Sequence, residues 1–124
     1  MSPRPRPPAE LKTSGRKLWN AVQAEYELEQ HETQLLREMC RAADTLDRLA
    51  TVVAEEGEML LDRFDQPRIH PALVESRQLK VTFARLSAAL RLPAGEVGDT
   101  HADARRPQRR VGVRGVYPIR GDAS

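Results

Sequence analysis

Between residues 35 and 53 the apolar side chains Leu35, Leu36, Met39, Ala42, Ala43, Leu46, Leu49, Ala50 and Val53 recur at three- and four-residue steps. This is the helical period, and neither proline nor glycine interrupts it over about five turns. A helix of that length with a continuous apolar stripe must cover the stripe, so the chain is committed to helices packed on a long central one. The opposite face carries Glu38, Arg41, Asp44, Asp47, Arg48 and Glu55. Asp44 and Arg48 stand in the i,i+4 order that favours a helix. Gly57 suits the position just past the helix, where a left-handed residue ends it at little cost.

The flanking segments supply the partners. Thr13 and Ser14 are candidate N-caps for a first helix over residues 15–26, with Leu18, Val22 and Tyr26 on one stripe and Trp19 beside it. A third helix begins at Pro71, whose missing N–H is no loss in a first turn. Its stripe is Leu73, Ser76, Leu79, Phe83, Leu86 and Leu90, and Pro93 stops it. Residues 58–61 and 67–70 flank residues 62–66, which predicts a short hairpin or a compact loop, with Pro67 unable to donate to a ladder. The expected class is mainly α: a three-helix core with a long central helix and a short hairpin or loop before the third helix.

The 9 Pro and 7 Gly crowd toward the ends, so residues 13–93 are the expected domain. Residues 1–12 alternate Pro3, Pro5, Pro7 and Pro8 with arginine and read as a disordered basic arm, and residues 94–124 as an Arg-rich flexible tail. A core of about 80 residues is small and is often shared between subunits. Net charge is only +2, yet residues 1–17 carry +4, residues 18–66 carry −8 and residues 67–124 carry +6. Such polarity suits association between copies or a basic surface laid on phosphates.

The chemistry-bearing residues argue against an enzyme. His31-Glu32 lacks the second histidine that a zinc-binding helix needs, and His70 and His101 lie far away with no cysteine pair. Glu55, Glu56, Glu58, Asp62 and Asp65 cluster without the spacing or central glycine of a calcium loop. No phosphate-binding glycine loop is present, so no catalytic residue, metal or cofactor is expected. Cys40 reads as a small core residue, and a single cysteine suggests an intracellular protein. No apolar run reaches the roughly 18 residues of a membrane span, and the start is unlike a signal peptide.

The basic ends carry more information. Arg105, Arg106, Arg109, Arg110, Arg114 and Arg120 follow one another with no acid between Ala104 and Gly121. Mobile arginines bind a phosphate backbone by releasing counterions and carry little sequence information alone. Val111, Val113, Val116, Tyr117 and Ile119 offer another use for this stretch, docking on a partner as an extended peptide or added strand.

Leu18-Trp19, Tyr26-Glu27-Leu28, Leu35-Leu36 with Cys40 and Asp44, Gly57, His70-Pro71, Arg77 and Leu90-Arg91-Leu92-Pro93 occur in an order that resembles the small terminase subunit of tailed bacteriophages over residues 13–93. Arg91 stands where that family is expected to have glycine, and Pro67-Arg68-Ile69 replaces a second glycine before His-Pro. The resemblance implies a non-enzymatic protein of the host cytoplasm. Such a protein binds double-stranded viral DNA where packaging starts, forms a homo-oligomeric ring, and recruits and regulates a large ATPase and nuclease subunit. Arg4, Arg6, Lys12, Arg16 and Lys17 are the first candidates for DNA contact. Arg105, Arg106, Arg109 and Arg110 are the second, for DNA or the large subunit, and His70 is expected to cap the third helix. Two other readings share these features: a small helical transcription regulator on a palindromic operator, and a structural phage connector with solubilising tails.

Overall fold

The structure, a computed structural model, describes residues 4–92 and 107–110. The described residues form helices α1 (Thr13–Glu25), α2 (Gln30–Glu56) and α3 (Pro71–Leu90). Strand β1 (Tyr26–Glu27) follows α1, and β2 (Met59–Leu61) and β3 (Pro67–Ile69) lie between α2 and α3. Strand β4 (Gln108–Arg109) pairs antiparallel with β1, Tyr26 opposite Arg109 and Glu27 opposite Gln108. Of the hairpin and the loop that the sequence left open here, strands β2 and β3 form the hairpin, with Pro67 at the end of the ladder opposite Leu61.

Helix α2 is the axis, as its stripe requires, but the two halves of the stripe have different fates. The first half supplies Leu36, Met39 and Cys40 to a core with Leu11, Trp19, Val22, Tyr26 and Leu90. Leu18, Leu28, Leu35, Phe83, Leu86 and Leu92 close around them. Beyond Asp47 no contact with α1 is found among the described residues, and Leu46, Leu49 and Val53 are half-buried. The core therefore lies at one end of the molecule.

The end of α2 and the start of α3 follow the sequence signals at Gly57 and His70-Pro71, while the start of α2 is a feature the sequence reading did not identify. At the start of α2, Glu29 and Glu32 form a capping box, Glu32 accepting from the Glu29 N–H at 2.7 Å. Gly57 ends α2 at φ +88° and donates its N–H to Val53. His70 caps α3, its Nδ1 accepting from Ala72 N at 2.9 Å. That acceptor role leaves the proton on Nε2, which donates to Glu56 at 2.8 Å and ties the two helices together beside the hairpin.

Three expectations are corrected. Helix α1 starts two residues earlier, and neither Thr13 nor Ser14 caps it; Lys12 is the N-cap and makes no side-chain cap bond. The cap comes from α2: Asp44 accepts from Lys12 N and from Gly15 N, both at 2.7 Å. With both oxygens so used, Asp44 serves α1 and not Arg48, and Asp47 accepts from the Ser14 hydroxyl beside it. Second, residues 4–12 of the arm expected to be disordered are seated on the helices, with Leu11 2% exposed. Composition alone disfavours a fold for this segment, but the helices supply the apolar surface it lacks. Third, residues 107–110 of the tail are placed, as the strand described above; the rest of residues 94–124 lies outside the described residues.

Candidate nucleic-acid interface

The arm runs back beside α1. The Trp19 indole donates to Pro5 O at 3.0 Å, and Arg16 Nε donates to Leu11 O at 2.8 Å. Glu10, the one acid of the arm, accepts from Arg37 at 3.1 Å and from Arg41 at 2.8 Å. These two guanidinium groups, Arg41 foremost, hold its carboxyl below the ordinary glutamate value. The arm thus presents its acid to α2 while Arg4, Arg6 and Lys12 are exposed, and so are Arg16 and Lys17 on α1. Leu11 inserted in the core and the arginine pair on Glu10 fix the path of the backbone that carries these cations. Arg16 spends part of its donor capacity on the arm itself, so its task includes holding the arm in place.

The second set of candidates divides. Arg105 and Arg106 lie outside the described residues. Arg109 lies 5.5 Å above the centre of the Tyr26 ring, with Nη1 3.8 Å from Glu25, and is exposed. Arg110 is buried, its Nε donating to Gln23 O at 2.5 Å and its Nη2 to Gln23 Oε1 at 3.2 Å. It is not presented to a phosphate in this arrangement. Sequence reasoning missed Gln23 altogether: it is a polar residue on the buried face of α1, at 1% exposure, and nothing in the helical period announces it.

The remaining candidates have structural roles. Cys40 is fully buried, and burial, with the charge of Asp44 as the lesser cause, pushes its thiol up to about 12. From the acidic cluster, Glu56 receives His70, and Asp62 organises the hairpin turn by accepting from Phe64 N, Gln66 N and Arg68 Nε. Those donors, the Gln66 N–H first, hold the Asp62 carboxyl below its usual range. No group of acids, histidines or cysteines among the described residues is placed to hold a metal ion. His31 is exposed, and His101 lies outside the described residues. No helix among the described residues is long and apolar enough to cross a membrane.

Far from the arm, the hairpin displays Leu61 and Phe64, each 67% exposed, with Met59 and Ile69 beside them and Val74 and Val81 exposed on α3. Apolar side chains exposed together on one element form a surface that a partner could cover. The molecule therefore has a cationic arm at the cored end and an apolar hairpin at the other. No family model, curated protein or solved structure matches the chain.

Proposed function

We propose that the chain is a DNA-packaging adaptor of the small-terminase kind. It grips double-stranded viral DNA in the host cytoplasm through Arg4, Arg6, Lys12, Arg16 and Lys17, assembles with copies of itself into a ring, and recruits and regulates a large ATPase and nuclease subunit. The observation that carries the reading is the seating of the arm: its acid is paired with Arg37 and Arg41 at the surface of α2 while its bases are exposed along a path fixed by Leu11 and Trp19. Cations on an ordered path meet phosphates with less ordering entropy to lose than a free tail would. The exposed hairpin supplies an apolar surface for assembly, separate from the cations.

The test is a duplex-DNA titration at two ionic strengths, with light scattering of the protein alone and with a large terminase subunit. The expected result is affinity that falls steeply with salt, with a slope that drops by about 0.9 for each phosphate contact removed when Arg4, Arg6, Lys12 or Lys17 is changed to Gln. A monomer at high micromolar concentration that neither binds duplex at low salt nor shifts with the large subunit would refute the reading. Tight binding of a dimer to a palindrome would favour a transcription regulator, and assembly without salt-dependent DNA binding a structural connector.

A further inference from the structure

The last turn of a helix leaves carbonyl oxygens without intrahelical partners and carries the negative end of the helix dipole. At the end of α1 the Tyr26 N–H takes Val22 O, and no basic residue lies in the last turn. Two further carbonyls there are taken by the tail: Gln23 O accepts from Arg110 Nε, and Glu25 O accepts from Arg110 N at 2.7 Å. Glu25 and Glu27 add negative charge, with Glu27 Oε2 4.0 Å from Arg110 Nη1. Tyr26 provides a face for Arg109, and Pro107 is buried beside the ladder. Backbone pairing, helix-end carbonyls, acids and an aromatic face converge on one short arginine-bearing strand.

We propose that the C-terminal end of α1 and the edge of β1 form a capture site for an arginine-bearing extended peptide, filled by the chain's own residues 107–110, and that a nucleic-acid backbone competes for the captured arginines. The proposal rests on the DNA-binding reading above. Two features make the capture reversible. The ladder is only two residues long, which gives it little stability of its own. Gln23 Nε2 is buried and finds no acceptor, so the docked state leaves one polar group unsatisfied. A phosphate offers each guanidinium a close, charge-assisted, bidentate partner in place of carbonyls, an aromatic face and carboxylates 3.8 and 4.0 Å away. With the segment docked, the arm alone meets DNA; with it released, Arg109 and Arg110 join the contact.

The test is amide hydrogen exchange of the full-length chain with and without a duplex, together with duplex affinity for Gln23→Met. This change keeps the side-chain volume and the net charge but removes the acceptor Oε1. Glu27→Gln, at an exposed position, loosens the segment from outside the core should Gln23→Met disturb α1. The expected result is an Arg110 amide protected in the free protein and deprotected at least tenfold on the duplex. Glu27→Gln is expected to expose that amide without DNA; Gln23→Met removes the unsatisfied Nε2 along with Oε1, and each variant is expected to change duplex affinity by the factor by which its measured exchange shows the open population to change. Retained Arg110 protection in the DNA complex, or a loosened segment with unchanged DNA affinity, overturns the competition while leaving the DNA-binding reading intact. Wild-type protein that binds no duplex at low salt overturns both.

Discussion

Replacing Asp44 with Ala removes both acceptors at the start of α1, and the structure sets the scale of the loss. The Lys12 N–H lies at an exposed position and regains a partner from water, so its share is that of an ordinary cap, about 0.5–1 kcal/mol. Gly15 is buried against α2, and its N–H has no such recourse. Stranding that donor costs about 1–3 kcal/mol. Together Asp44→Ala should destabilise the protein by about 1.5–4 kcal/mol, which lowers Tm by about 6–30 °C for a domain of this size. Asp44→Asn retains one acceptor oxygen and should cost less. Gly15→Ala supplies an independent probe of the same contact. Alanine usually stabilises a helix by about 0.5–1 kcal/mol relative to glycine. Here the added Cβ would lie 2.8 Å from Cys40 O and against the Asp44 carboxylate, so the sign reverses. In the Asp44→Ala background one of those two obstacles is gone and the cost of Gly15→Ala should fall, which a double-mutant cycle by urea unfolding reads directly. A loss under about 0.5 kcal/mol for Asp44→Ala, or a stabilising Gly15→Ala, would show that α1 is not anchored on α2 in this way.

Three further outcomes follow from the same geometry. Cys40, buried with its thiol pushed up to about 12, should resist alkylation at pH 8 in the native protein and react at the rate of unfolding; rapid labelling without loss of helical signal would contradict the core placement. Arg91 occupies a left-handed conformation at φ 62° after α3, so Arg91→Gly should hold or raise stability, by up to about 1 kcal/mol; a clear loss in thermal unfolding would mean that its side chain outweighs the backbone strain. Glu10 and Asp62 both have folded-state values below their unfolded ones, so the stability they contribute is present above the unfolded values, near pH 4, and is lost as pH falls through the folded ones. Thermal stability should therefore be insensitive to these groups between pH 7 and 5, and the difference between wild type and Glu10→Gln should shrink below about pH 4; a difference that grows with acid would reverse the assignment.

The helices were legible because each rests on local chemistry. The stripe of α2, Gly57 behind it and His70-Pro71 before α3 are one-dimensional signals, and each sits where its pattern predicts. The features that escaped are contacts between residues distant in sequence. Asp44 reads as an i,i+4 partner for Arg48 until α1 is laid across it, 29 residues from Gly15. Leu11 is a single leucine among prolines and acquires meaning only from the hollow it fills. The candidate cations were found by composition, but composition could not separate the exposed Arg4 and Arg6 from Arg110, whose partner lies 87 residues earlier. Arg91 is a further case: its backbone is left-handed, a conformation glycine adopts at least cost, and no local pattern in the sequence announces it.

Helix α2 also acts as a ruler. From Arg41, which holds the arm, to Glu56, which meets His70 beside the hairpin, the rod advances about 22 Å at 1.5 Å per residue. His70 caps α3 and Glu56 closes α2 with one imidazole between them, so the far end of the rod is braced. Whatever the hairpin touches is therefore held about two nanometres from whatever the arm touches. In an assembly of copies, that offset would set the radius at which the cations face inward or outward, a mechanical quantity fixed by the number of residues in one uninterrupted helix.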